Sequence, residues 1–284
     1  MALFFALLSH IGWGVGDVFG VVATRRMGTI PMTVWRGIFA FILATMLLLP
    51  FFWKDFLLVT PQLGVIILGL SILSLIADFA FFESLRVGNP PVVGVISASF
   101  VAVAVLISIL FLGEHLTPEK AAIVLTILIG IGLCVFDHRI FSFAWTRGEL
   151  MAVIAMIGWG LYYALIKIPV QAVGWFVPGY LFLALFPIIG LALRLKKCAL
   201  PSPFRGGVFF IFLASVILTS IAEWSYNIAI EQSDVSVIAP IAGSYPALFV
   251  MLSAFFFREP TRLSQKVGIG LTLGGIILLS VLQA

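Results

Sequence analysis

Charge is what this chain has least of. Only 10% of its 284 residues are charged, against roughly 25% in a soluble globular domain. Long polar stretches are missing too. The connections read TRRMGTIP, WKD, RVGNPP, GEHLTPEK, DHRIFSFAWTRGE, RLKKCALPSPFRGG, EQSD and FREPTRLSQK, which leaves no room for a separate soluble domain. There are two cysteines, Cys134 and Cys198, far apart and without CxxC spacing. This excludes a disulfide framework and a cysteine redox or metal motif. His10, His115 and His138 are scattered. HExxH, GxSxG, P-loop and dinucleotide fingerprints are all absent, so we expect no metal, no cofactor, no ATPase and no enzyme. Strict apolar–polar alternation is absent, which argues against a membrane β-barrel.

Apolar residues make up 62% of the chain, and the mean hydropathy is +1.23. The apolar runs reach about 20 residues, the length at which a helix crosses about 30 Å of hydrocarbon. The pattern predicts an all-α integral membrane protein with spans near 2–23, 32–53, 61–84, 91–112, 118–137, 149–168, 176–195, 206–230, 235–257 and 264–283. The first run has no basic n-region and continues to spanning length, so it is expected to stay as a helix. The net charge of +4 is spread over short loops at helix ends. That is membrane topology, with no nucleic-acid partner implied.

The tetrapeptide IGWG occurs at Ile11–Gly14 and again at Ile157–Gly160, 146 residues later. A shift of 145 aligns 76–114 with 221–259 without a gap, and about ten of the 39 positions are identical. IAD at 76–78 falls on IAE at 221–223, Ser99-Phe100 on Ser244-Tyr245, and Glu114 on Glu259. The register holds at polar positions, which apolar composition alone does not favour. The chain therefore reads as two repeats, 1–140 and 146–284. Each has five spans. Five is odd, so the second repeat enters the membrane from the opposite face. Inverted repeats of this kind are typical of secondary transporters, with the substrate near the midplane between them.

Charges inside spans single out a site. Asp78 and Glu223 sit at equivalent places in spans 3 and 8, about seven residues from a helix end and so roughly 10 Å deep. An ionised carboxylate there costs about 3 kcal/mol or more, and intramembrane ionisable groups are functional by default. Both are candidates for binding a substrate amine or a coupled proton. Asp17 and Arg36 fall at one depth and fit either an ion pair or a substrate contact. Trp13, Trp159, Tyr163, Asn227 and Tyr245 complete the expected lining, with Ser99 and Ser244. Aromatic walls with a few carboxylates suit amines, amino acids or organic cations. Gly12, Gly16 and Gly20 form a flat stripe that lets another helix approach closely. Pro246 predicts a kink in span 9 that span 4, with Val101 there, would not share. Glu83, Arg86 and Lys167 read as interfacial helix-end charges, with gating pairs as the second reading. Glu114 and Glu259 read as helix-end hydrogen-bonding groups.

Ten spans, two repeats, GWG in spans 1 and 6, and the ending FLGEHLT at 111–117, echoed as FFREPT at 256–261, resemble the EamA branch of the drug/metabolite transporter superfamily. The resemblance implies a 5+5 inverted bundle in the bacterial inner membrane, with a central cavity lined by spans 1, 3, 4, 6, 8 and 9. It implies export of amino acids or related metabolites by a monomer or homodimer embedded in the lipid bilayer. The remaining function classes are a passive facilitator or channel and, further off, a membrane-embedded enzyme. The Lys and Arg count favours both termini outside, since one set of loops holds only Lys54, Lys120 and Lys167. The resemblance favours cytoplasmic termini.

Overall fold

The computed structural model describes residues 1–88, 90–135, 146–198, 200–204, 207–257 and 262–282. His138, Arg139, Arg205, Arg258 and Glu259 lie outside them, as does the side chain of Arg86. The described residues are helical throughout, without strands. In chain order the helices are α1 (Ala2–Met27), α2 (Thr29–Leu47), α3 (Leu49–Phe52), α4 (Pro61–Val87), α5 (Pro90–Ala98), α6 (Phe100–Phe111), α7 (Pro118–Val135), α8 (Arg147–Leu165), α9 (Lys167–Val173), α10 (Phe176–Leu183), α11 (Leu185–Leu195), α12 (Phe209–Gln232), α13 (Val235–Gly243), α14 (Tyr245–Phe257) and α15 (Leu263–Val281). A 3₁₀ turn covers Trp53–Leu58.

Local sequence sets the starts. Pro61, Pro90 and Pro118 each open a helix, where the missing N–H costs nothing. Thr60 caps α4 through Leu63 N at 3.3 Å. Thr146 and Glu149 form a reciprocal capping box on α8. Gly28 and Gly174, at equivalent places in the two repeats, take φ of 85° and 79° to turn the chain after α1 and α9. That region favours glycine because no Cβ clashes there.

Eight helical stretches have the length and hydropathy to cross a membrane, and Ile96–Phe111 is a shorter apolar one. Large side chains such as Val65, Leu110 and Phe210 are more than two-thirds exposed on the bundle exterior, as lipid contact requires. Packing follows the repeat. α1 lies along α12 and α8 along α4, so the first long helix of each half packs on the third span of the other. α7 pairs with α15.

Several predicted spans are not single helices. The expected kink in span 9 is a break at Ser244, between α13 and α14. The expectation that span 4 lacks one is corrected, because α5 and α6 break at Ser99, the equivalent residue. In the second half Pro246 enters at the first turn of α14. In the first half no proline is nearby, and tertiary packing makes the break. The Phe100 carbonyl oxygen lies 3.0 Å from where a Gly160 Cβ would stand, and Val101 Cγ2 lies 2.4 Å from a Gly243 Cβ. Just past Ser99, the Phe100 backbone is pressed against α8 and the Val101 side chain against α13. Spans 6 and 7 also break, at Ile166 and Ala184. Pro169 and Pro187 each follow three residues later, and a proline ring clashes with the carbonyl four residues before it.

Candidate functional site

The repeated tetrapeptide builds the site. In the first copy a Cβ on Gly12 would stand 2.8 Å from Ala222 Cβ of α12, and one on Gly14 would stand 2.8 Å from Leu248 Cδ2 of α14. In the second copy a Cβ on Gly158 would stand 2.8 Å from Ala77 Cβ of α4, and one on Gly160 would stand 2.4 Å from Val103 Cβ of α6. The partners are equivalent residues. Each IGWG uses its first glycine to admit the carboxylate-bearing helix of the other half. Its second glycine admits that half's broken helix.

The tryptophan between the glycines then reaches across. Trp13 Nε1 donates to Glu223 Oε1 at 3.1 Å, and Trp159 Nε1 donates to Asp78 Oδ1 at 2.9 Å. The two intramembrane carboxylates are thus held by the two equivalent indoles. A hydrogen bond to a charged acceptor contributes roughly 1.5–3 kcal/mol, the scale of what burying the carboxylate costs. Tyr163 Oη adds a second donor to Glu223 Oε1 at 3.1 Å, and Tyr226 Oη fixes the Tyr163 carbonyl at 2.9 Å. The donors engage one oxygen of each carboxylate. Among the described residues, no donor reaches Glu223 Oε2 or Asp78 Oδ2.

Aromatic rings wall this cluster. Trp13 meets Tyr163, Tyr226 and Tyr245 with centroids 5.5, 5.7 and 5.8 Å away. Trp159 meets Phe81 at 4.9 Å and Phe100 at 6.1 Å. Arg36, half-buried on α2, acts electrostatically on Asp17, Asp78 and Glu223. Of the two readings for Asp17 and Arg36, the close ion pair is not formed: among the described residues Arg36 makes no ion pair within 4.0 Å, and its field is shared by three carboxylates.

Other predicted residues fall differently. Ser244 is fully buried, donates to the Ile241 carbonyl at 2.6 Å and meets His10 Nδ1 at 3.0 Å. Ser99 sits at the matching break. Asn227 Nδ2 donates to the Trp175 carbonyl at 3.2 Å and so ties α12 to the turn before α10. Glu83 pairs with the exposed Arg147 at 3.1 Å. Lys167 is a span-end charge drawn into the protein, with its side chain only 9% exposed and its ammonium donating to Glu114 Oε1 at 2.8 Å. Three acceptors converge on it and draw it inward. Glu114 does bond a helix end, accepting Val235 N and Ser236 N, each at 2.8 Å. Glu114 lies outside the spans. Burial pushes its carboxyl up, but the Lys167 ammonium and the two amides outweigh that and hold it below the usual 4.5.

Sequence reasoning placed Tyr226 among the inward aromatics but missed His10 and the pairing of each tryptophan with the other half's carboxylate. The signal for the pairing was present: IGWG and IA-acid recur at nearly one shift. Among the described residues, no three His, Cys, Asp or Glu side chains converge as a metal site needs.

The model of the EamA-like transporter family matches residues 1–136 and again 146–281. The chain belongs to the EamA-like transporter family. It is a multi-pass membrane protein of a family whose members are transporters, not enzymes. A solved crystal structure covers 100% of this chain and 99% of its own with a TM-score of 0.81 at 19% identity, a likeness of fold alone. An uncharacterised protein of Methanocaldococcus jannaschii, MJ1333.1, is 35% identical over 69 residues, which is 24% of this chain and 50% of that protein. The uncharacterised protein y4nH of Sinorhizobium fredii is 37% identical over 70 residues, 24% of this chain and 60% of its own length. The match thus spans between half and three-fifths of these curated relatives.

Proposed function

We propose that this EamA-like chain is a secondary carrier that exports small metabolites bearing a cationic amine, amino acids above all, by alternating access in the bacterial inner membrane. Its ten spans form two inverted five-span repeats, 1–140 and 146–284, with α5–α6 and α7 counted beside the eight longer stretches. The observation that carries this reading is the matched pair of half-occupied carboxylates. Asp78 and Glu223 are each anchored through one oxygen, by the indole of the opposite repeat, and each keeps the other oxygen for a ligand or a coupled proton. Trp13, Trp159, Tyr163 and Tyr245 supply cation–π walls for the amine, and Arg36 faces the substrate's own carboxylate with Asp17 beside it. Ser99 and Ser244 place a break in each half at the same level, where freed backbone groups are available to a substrate.

The test is a ligand-dependent thermal shift on detergent-purified protein with amino acids, polyamines, aromatic cations, nucleobases and sugar phosphates. A ligand at 100 times its dissociation constant stabilises by about 2.7 kcal/mol. We expect hits among amino acids or amines that vanish in Asp78→Asn or Glu223→Gln. Hits confined to anions would overturn the amine reading. Saturable counterflow in vesicles separates a carrier from a passive facilitator.

A further inference from the structure

Outside the aromatic cluster lies a second buried charged group that the substrate reading does not use. Glu114 follows α6, Lys167 opens α9, and Ser233, Asp234, Val235 and Ser236 lead into α13. Lys167 Nζ donates to Glu114 Oε1 at 2.8 Å and to the Ser233 carbonyl at 3.0 Å, with Asp234 Oδ1 at 3.5 Å. Glu114 spends both oxygens on α13, Oε1 on Val235 N and Oε2 on Ser236 N, each at 2.8 Å. The Glu114 and Lys167 side chains are 3% and 9% exposed. The network ties the end of the first half's broken helix to the start of the second half's broken helix, through α9, which continues the span that carries the second IGWG.

The repeat allows a direct question: does the other end have the same network? The sequence says that it does not. The shift of 145 carries Val235 and Ser236 onto Pro90 and Pro91, which have no N–H to give. It carries Asp234 onto Asn89 and Ser233 onto Gly88, and the IGWG shift carries Lys167 onto Val21. At the equivalent positions the cation, its second acidic partner and both amide donors are lost, and only the counterpart of Glu114, Glu259, is kept. The ion pair on the opposite side, Glu83 with Arg147, has an arginine 72% exposed, and exposed pairs contribute little.

We propose that Glu114, Lys167 and the α13 N-terminus form a one-sided latch that seals this end of the bundle and biases the carrier toward the state closed there. An inverted-repeat carrier with matched ends would populate its two states about equally. Here one end must break a buried ion pair and two charge-assisted amide bonds to open, and the equivalent positions at the other end carry neither the lysine nor the two N–H donors. The latch requires an acceptor at 114 and a donor at 167 in that order, because only an acceptor satisfies the two amides.

The test reads conformation without substrate. In a background with Cys134→Ala and Cys198→Ala, Ala239→Cys places a thiol on α13 one turn inside the latch, at a position 1% exposed. Labelling by a membrane-impermeant maleimide in oriented vesicles then reports opening of this end. We expect slow labelling in the background and a rate about tenfold higher in the double variant Glu114→Gln/Lys167→Met, which leaves no unpaired buried charge to unfold the protein. Glu114→Asp, which keeps the charge but shortens its reach, is expected to fall between. The charge reversal Glu114→Lys/Lys167→Glu is expected not to restore slow labelling. An unchanged rate in a monodisperse double variant or in Glu114→Asp overturns the latch, and so does rescue by the reversal. The inference rests on the carrier reading, yet the two fail separately. A ligand panel without hits leaves the labelling result standing, and flat labelling beside a positive ligand shift removes the latch alone.

Discussion

Substituting Gly12 by alanine adds one methyl group and reaches the site without touching it. That methyl would stand 2.7 Å from the Leu218 carbonyl oxygen, 2.8 Å from Ala222 Cβ and 3.2 Å from Ala222 N. Carbon atoms pack best at about 3.5–4.0 Å, and two of these neighbours are backbone, so α1 and α12 must part by about 1 Å. Overpacking of this kind costs about 1–3 kcal/mol. The neighbouring Trp13–Glu223 hydrogen bond, at 3.1 Å, would lengthen past the range in which such bonds count, losing roughly a further 1.5–3 kcal/mol. The sum is about 2.5–6 kcal/mol, which thermal unfolding in detergent would register as a fall of about 10 °C. Gly132→Ala is the control. Its methyl meets nothing within 4 Å, and alanine in an open helix position is favoured by roughly 0.5–1 kcal/mol. If Gly12→Ala melts within about 2 °C of Gly132→Ala, close helix approach does not hold the site and the reasoning fails.

Gly158→Ala is expected to repeat that loss in the other half, because its methyl would meet Ala77 Cβ at 2.8 Å; a neutral melt would deny the two-fold likeness of the contacts. Trp159→Phe removes the donor on Asp78, whereas Trp13→Phe leaves Tyr163 on Glu223, so the first is expected to lower the melting temperature more, by the roughly 1–3 kcal/mol that a buried unpaired acceptor costs. The latch carries a pH signature. Glu114 faces Lys167 of α9, Asp234 before α13 and, at longer range, Tyr226 of α12. Its carboxyl is held below 4.5 in the fold, so its contribution is fully present above that value and is lost as pH falls through the lower folded value. Labelling of Ala239→Cys, divided at each pH by the rate of a free thiol to remove the change in thiolate fraction, should stay flat from neutral pH down to 4.5 and rise only below it; a rise in that ratio between pH 7 and 5 would assign the opening to another group.

Much of this architecture was legible because a membrane imposes one-dimensional rules. Scarce charge and apolar runs of spanning length dictate transbilayer helices, since hydrocarbon offers the backbone no other partner. A near-constant shift relating IGWG, IAD/IAE and the serine-aromatic pair exposes the repeat, because a duplicated chain keeps its spacing wherever packing forbids insertion. The carboxylates stood out for the same reason, since an ion in hydrocarbon needs a cause. Contacts between the halves were not legible. Trp13 and Glu223 are 210 residues apart, and no local periodicity links them. The pull of Lys167 into the bundle, the break at Ser99 without a proline, and the sharing of Arg36 among three carboxylates depend on which helices meet. The sequence by itself determined the helices, the duplication and the two buried acids, because those follow from hydropathy and spacing. Only the tertiary structure decided that each acid is held by the other half's tryptophan and that Glu114 and Lys167 meet at the start of α13, because hydrogen bonds over a few ångströms depend on distances that hydropathy does not encode.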